Sequence, residues 1–339
     1  MKRIFFVAAF LTASCALFAQ EPQSAQSPVP TADNQFLDPR HVPAETDVVC
    51  TPYIAKKGRK RAQQGMAVSG KYLFSCEDGG HVNVYDFRKA DGEVIGSFDL
   101  ASSCKSNHAN NAEFGVEKKK GASFPLLYIS IGKPGADIDW TCFVESVTKK
   151  GDEWTSELAQ KIILDGKGWE EKGYTAIFGA PSWLVDRERK ALWAFSAIQR
   201  TTPKVTLSAD DNLYVATKFR LPKLSEGEEV HLTADDILDQ VCFPYEVWFT
   251  QAGCIRDGKI FYGFGVGQND PTRPSRIRVY DTDTKAIYAR YELQDQIFWE
   301  IEDIAIVGKW MYVGTNNNPK KNPGVDPVIY KVSLPSKRK

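Results

Sequence analysis

Three glutamates, Glu113, Glu300 and Glu302, have the side-chain type that general acid and base chemistry needs. Cleavage of a glycosidic bond takes two carboxyl groups, about 5 Å apart if configuration is retained and about 6.5–9.5 Å apart if it is inverted. In that reading Glu302 or Glu300 is the acid, Glu113 its partner, and His108 assists as a proton carrier. Glu246 and Asp303 are further acids of the same kind. Taken singly, each of these reads as well as a strand-end acid that binds Lys or Arg.

A second set of residues suits recognition without catalysis. Gln64, His108, Asn110, Ser182 and Gln251 each stand at the start of an otherwise apolar or small-residue run. Polar groups that converge in a concave site are the usual make-up of a ligand pocket. Trp299 adds an indole on which a small molecule or the C–H face of a sugar can stack. Trp299 and Trp169 lie in loop-like sequence and are expected to be more exposed than Trp193 or Trp310. His108 sits in Ser106-Asn-His-Ala-Asn-Asn-Ala-Glu113, so it can be a sugar-binding group, a proton carrier or a ligand to a divalent metal at the same place. No other cofactor is expected.

Several chemistries are excluded by absence. The chain has no P-loop, no GxGxxG after a strand, no HExxH and no GxSxG. No cysteine pair has CxxC spacing, which removes zinc ribbons and dithiol redox motifs. Asp281-Thr-Asp-Thr-Lys285 alternates like a calcium loop but lacks its glycine and its distal glutamate, and reads as a hairpin turn. Lys56-Lys-Gly-Arg-Lys-Arg61 is a local basic run that reads as a solvated loop.

These residues are far apart in sequence, so a fold must gather them. Short runs rich in Val, Ile, Tyr, Phe and Trp are punctuated by Asp-Gly and Gly-Lys turns, which is the pattern of many short strands. The runs stack as a repeat. Gln64–Phe74, Gln251–Tyr262 and Glu302–Val313 share one frame: a small-residue strand, a tight Gly-Lys turn and an aromatic strand. Ala109–Ser130 and Pro181–Phe195 are divergent copies. Third strands follow at His81–Asp86, Cys142–Val147, Leu213–Phe219, Ile277–Asp281 and Val328–Val332. Fourth strands are expected at Glu93–Leu100, Glu157–Leu164, Glu228–Thr233 and Ala286–Leu293. A short helix is expected over Thr233–Gln240, opened by a capping threonine.

Five such units make an all-β chain folded as a single five-bladed β-propeller. The fifth unit lacks a fourth strand. Asp47–Ile54 has strand composition and is expected to supply it, so that an N-terminal strand closes the ring and removes a free sheet edge. In a propeller the innermost strands line a central channel, and the residues that lead into them meet at its mouth.

Composition agrees with one large folded unit. There are 339 residues, 42% hydrophobic, with 43 basic and 43 acidic side chains. Zero net charge argues against nucleic acid as a partner. Lys2 and Arg3 precede an apolar run to Leu17, with Ala-Leu-Phe-Ala before Gln20. That is the pattern of a secretory signal over 1–19, too short for a membrane span. Residues 20–46 then form a Pro-, Ser- and Gln-rich spacer, and the propeller occupies 47–336. A lipoprotein anchored at Cys15 is the other way to read the same segment. Either way the protein is expected outside the cytoplasm, in the periplasm or beyond. The six cysteines after Cys15 can pair as disulfides or sit as small buried hydrophobes in strands.

The phrases Gln64-Gly-Met-Ala, His108-Ala-Asn-Asn-Ala-Glu-Phe-Gly115 and Glu302-Asp-Ile-Ala-Ile resemble those of secreted bacterial five-bladed propeller proteins related to helveticin-like sequences. The resemblance spans roughly Asp47 to Leu334 and implies the propeller architecture, but no established reaction. Where that group has Glu-Pro-Glu-Gly in its last blade, this chain has Glu300-Ile-Glu-Asp303. Three functions stay open: binding of a small ligand or glycan at the channel mouth, a glycan-active hydrolase or lyase using the mouth carboxylates, and a protein-interaction platform in the cell envelope.

Overall fold

The computed structural model describes residues 48–132, 138, 140–198, 213–244, 250–267, 270, 272–317 and 324–333. The expected signal and spacer, and also Glu246, lie outside the described residues. After β1 (Cys50–Ala55) the strands fall into five groups. Blade one is β2 (Gln63–Ser69), β3 (Tyr72–Glu77), β4 (His81–Asp86) and β5 (Val94–Asp99). Blade two is β6 (Asn111–Phe114), β7 (Leu127–Ser130), β8 (Thr141–Lys150) and β9 (Glu153–Leu164). Blade three is β10 (Phe178–Asp186), β11 (Ala191–Ile198), β12 (Leu213–Arg220) and, after β13 (Glu229–Leu232), β14 (Ile237–Pro244). Blade four is β15 (Thr250–Arg256), β16 (Lys259–Phe264), β17 (Arg276–Asp281) and β18 (Ala286–Glu292). Blade five is β19 (Glu300–Val307), β20 (Trp310–Asn316) and β21 (Val328–Ser333), with β1 as its outer strand.

The molecule is therefore a five-bladed β-propeller. Its inner strands β2, β6, β10, β15 and β19 pack on one another around a central axis. Ring closure is as the sequence suggests. β1 runs antiparallel to β21, with Cys50 opposite Val332 and Ala55 opposite Val328.

Strand alternation gives each blade two apolar faces. In blade one, Phe74, Cys76, Val82 and Val84 face blade two, where they meet Ala112, Phe114, Leu127 and Ile129. Met66, Leu73 and Tyr85 face blade five, where they meet Ile54, Tyr312 and Ile329. Aromatic residues fill the wedges between blades. Trp154 of β9 stacks on Phe98 and Phe124 and meets Tyr72 and Phe74 edge-on. Opposite its indole, a Cβ on Gly96 would lie 2.1 Å from Nε1, so only glycine fits there.

Blade three departs from the sequence reading. Glu229–Leu232 is not its fourth strand. β13 instead adds to blade two, parallel to β9, with Glu229 opposite Lys161 and Leu232 opposite Leu164. Val230 and Leu232 are thereby buried with Ile162, Leu164 and Trp169. β14 takes the fourth position, antiparallel to β12. The expected helix over Thr233–Gln240 is one 3₁₀ turn, Ala234–Asp236. Its capping box is real: the Thr233 amide donates to Asp236 Oδ2 at 2.8 Å, and the Asp235 amide donates to Thr233 Oγ1 at 3.2 Å. From Ile237 onward the chain is extended as β14, with Val241, Cys242 and Phe243 buried.

Candidate functional site

The channel has a leading face, where the inner strands begin, and a trailing face, where they end. The residues expected to line a mouth are at the leading face, where most of them bond to neighbouring groups inside the ring, whereas Gln64 Oε1 is buried without a hydrogen-bond partner. Gln63 and Gln64 are buried. Gln63 donates to Glu77 Oε1 at 3.1 Å. Gln251 donates to Glu300 Oε1 at 2.7 Å. Ser182 Oγ lies 2.7 Å from Tyr262 Oη, and Tyr262 donates to the Gln251 carbonyl at 2.7 Å. Asn110 is buried beside Gly132, whose Cβ position would lie 2.1 Å from the Asn110 Cβ. His108 stands 2.7 Å from Asp78 on the loop before β6, with 30% of its side chain exposed. Asn107 shapes that loop, donating to Ser102 and accepting from the Ala109 amide.

Of the two tryptophans expected to be the more exposed, Trp169 is buried and Trp299 is half-buried. Trp169 is 1% exposed and donates its Nε1–H to the Asp165 carbonyl at 2.9 Å, between blades two and three. Trp193 is equally buried, and Trp299 and Trp310 are both half-buried. Blade packing takes the indoles. The basic run before blade one is solvated only in part, with Lys57, Gly58, Lys60 and Arg61 exposed. Lys56 is fully buried, Lys57 pairs with Glu93, and Arg59 donates to Asn316 and to the carbonyls of Asn317 and Val325.

Midway along the channel, one carboxylate ties the ring together. Asp303 of β19 is fully buried. Its Oδ2 accepts from the amides of Met66 (2.8 Å, blade one) and Ala112 (3.2 Å, blade two). Its Oδ1 accepts from the Asn111 side chain at 2.9 Å and from the Ile304 amide at 2.8 Å. Asn111 also donates to the Gly253 carbonyl of blade four at 2.7 Å. Ser130 donates to Asn111 Oδ1 at 3.3 Å and accepts from the Trp183 amide of blade three at 2.7 Å. All five blades join this network.

Beyond it, at the trailing face, the channel opens into a cavity of about 300 Å³. Its walls come from the ends of β2, β6, β15 and β19 and from the turn after β10. Glu113, Arg187 and Cys254 line it, with Glu188 and Arg256 at its rim. Glu113 is half-buried, and its Oε2 accepts from the Val185 amide at 2.8 Å. The three candidate glutamates are thus divided. Glu300 and Glu302 belong to the packed leading half, where Glu302 is buried near Lys56 and Asn316. Glu113 belongs to the trailing cavity, and Asp303 lies between. The structure does not bring Glu113 together with either as an acid pair. Among the described residues, no three His, Cys, Asp or Glu side chains gather in a metal-holding group. The six described cysteines are unpaired, and four of them are buried in the blades.

Burial dominates the charges here. Desolvation pushes Glu113 up to about 8, against the pull of the Arg187 guanidinium. It pushes Asp303 up to about 7, against its hydrogen-bond donors, and it raises Glu300 and Glu302. Lys56 is lowered to about 7 for the same reason. An acid whose folded pKa is raised binds more protons folded than unfolded. Stability from these acids therefore falls as pH rises from about 4.5 to 8, whereas Lys56 acts in the opposite sense only above about 7. We predict a melting temperature several degrees higher at pH 5 than at pH 8. The drop should shrink in Glu113→Gln. A flat profile between those pH values would show that these acids are solvated in the folded protein.

No family model matches the chain, and no curated protein matches it. Among solved structures it is similar to the tail fiber of Staphylococcus aureus phage P68, with a TM-score of 0.47, 12% identity and 84% of this chain covered. The chain spans about half (52%) of that tail-fiber chain. It is also similar to the glutaminyl cyclase of Myxococcus xanthus, with a TM-score of 0.41, 12% identity, and 85% and 96% of the two chains covered. A third is the β-propeller domain of Myceliophteria thermophila Cps50 (Swd1), with a TM-score of 0.36, 10% identity, and 82% and 85% covered. These likenesses are too distant to carry a function. The helveticin-like resemblance gains no support from them, and the propeller rests on the strand topology above.

Proposed function

We propose that this is an exported propeller that binds a small molecule inside its ring, at the trailing face, without chemistry on it. The observation that carries the reading is the cavity of about 300 Å³ walled by all five blades. That volume is at the lower end of the ~300–1,000 Å³ typical of small-molecule sites. Apolar walls with a few polar groups are also typical of them. Export is supported by Lys2 and Arg3 ahead of the apolar run to Leu17. Among the described residues no helix is long and apolar enough to cross a membrane.

Two features weigh against the glycan-active enzyme. The acids are divided between two parts of the channel, and among the described residues no exposed tryptophan flanks them. One feature favours the interaction platform: Gln63, Ser182 and Gln251 at the leading face are buried and hydrogen-bonded within the ring.

The test is a thermal-shift screen of sugars, amino acids, organic acids and divalent metals, coupled to labelling of Cys254. Cys254 lines the cavity and is 4% exposed, whereas Cys104 is exposed on the surface. In a Cys104→Ser background, a compound that raises the melting temperature should also slow alkylation of Cys254, read by peptide mass. If no compound does both, the ring is a scaffold and the platform reading takes its place.

A further inference from the structure

We infer that the trailing cavity selects a small organic carboxylate, gripped by Arg187 with Glu113 as a second hydrogen-bond donor. The inference rests on the reading of that cavity as a ligand site.

The turn between β10 and β11, Asp186-Arg-Glu-Arg-Lys190, carries four charged side chains after Asp186, and its partners are visible. Asp186 accepts from the Arg189 amide at 3.0 Å. Arg189 forks onto Asp283 of blade four, at 2.6 Å for each contact. Glu188 pairs with Arg256 at 2.9 Å across the rim of the cavity. Lys190 is exposed to solvent, whereas Arg187 is half-buried. Arg187 lines the cavity, its Nε is buried without a hydrogen-bond partner, and no carboxylate among the described residues stands within ion-pair distance. A guanidinium with unspent donors in a partly dry site is costly until a planar acceptor arrives. A carboxylate matches its fork.

Glu113 bears on the same space. The charged and titratable groups around it are Arg187 and Asp186 from blade three, Asp303 from blade five and the Cys254 thiol from blade four. Of the charges, Arg187 acts on it most strongly. With its pKa pushed up to about 8, Glu113 is largely neutral at pH 7 and presents an O–H rather than a competing negative charge. The lining then carries one uncompensated positive charge and one neutral donor, since Glu188 and Arg256 cancel at the rim. Ile255, Ile304 and Ile306 offer apolar surface to the rest of the ligand. That set fits a monoanion with an apolar body. It fits neither an amine nor a strongly hydrated inorganic anion.

The experiment measures binding to the whole chain by calorimetry. Benzoate and hexanoate are compared with benzamide, hexanamide, benzylamine and inorganic phosphate. The carboxylates should bind at least roughly tenfold tighter than any of the others. Arg187→Gln, checked for an unchanged fold by its melting temperature, should weaken them roughly 10- to 100-fold and leave the amides alone. Raising the pH from 6 to 9 should weaken carboxylate binding as Glu113 ionises. Glu113→Gln should keep the affinity at pH 6 within a few-fold and abolish the pH dependence. Amides, amine or phosphate binding as tightly as the carboxylates, or an Arg187→Gln variant with unchanged carboxylate affinity, overturns the class but leaves the cavity a ligand site. If nothing binds and nothing protects Cys254, the ligand reading itself falls.

Discussion

Removal of Val48–Ala55 should abolish the cooperative thermal transition of the whole ring. The segment is one strand long, yet its loss touches three supports at once. β1 pairs with β21 over five positions, and without it the β21 edge is bare. Ile54 is fully buried among Met66, Leu73, Tyr85 and Ile329, so it joins blade five to blade one. Val48 is buried against blade four, and Gln296 donates to its carbonyl and accepts from the Cys50 amide. Burial of the two side chains alone is worth about 1.5–3 kcal/mol each. Set against a total stability of about 5–15 kcal/mol, that loss plus the missing ladder should leave no folded population. Circular dichroism against temperature reads the result. A truncated chain that still melts cooperatively within a few degrees of the intact one would mean that the ring holds without its clasp.

The second large effect is expected at Asp303. Its two oxygens receive four hydrogen bonds, three from backbone amides and one from Asn111. Asp303→Asn keeps the shape but turns an NH₂ group toward donors. Whichever way the amide is oriented, two buried N–H groups face another donor. Each such loss costs about 1–3 kcal/mol. We expect about 3–5 kcal/mol of destabilisation at pH 8, where the carboxylate is ionised. Urea unfolding should show a lower midpoint at an unchanged slope. Asn111→Ala should cost less, because the backbone donors to Asp303 stay in place. A loss below about 1 kcal/mol in Asp303→Asn would show that apolar packing between blades holds the ring unaided.

Much of this architecture is legible in the sequence because it is local. Gly-Lys turns and Tyr- and Phe-rich strands recur at blade spacing. Asp47–Ile54 reads as a strand with no partner among its neighbours, which is why it points to the far end of the chain. The errors arise where tertiary position decides. Glu229-Val-His-Leu232 alternates well for any sheet edge, and only the ring shows that the edge it meets is β9. The capping box at Thr233 marks a turn truthfully but does not tell a 3₁₀ turn from a helix. The polar leads of the inner strands do converge, as Gln251 on Glu300 shows. Spacing cannot reveal that Gln251 is satisfied by Glu300. The cavity was signalled only by small or short side chains late in the inner strands, such as Ala67, Cys254 and Ala305, and by Arg187, which reads as an ordinary turn residue.

The clasp also sets a schedule for folding. Val49 and Ser333, which bond across it, are 284 residues apart. A ribosome adding about 5–20 residues per second needs on the order of 15–60 seconds to cover that separation. Throughout that time the first strand has no partner, and once blade five forms its β21 edge stays open until the two meet. Because the bond joins the earliest and latest strands, blades can form in turn but the ring cannot close before β21 is available. Contacts of such long range make for slow folding. The waiting edge is a place where a second chain can pair instead, so a chaperone that holds β1 or β21 would raise yield more than one that acts on any middle blade.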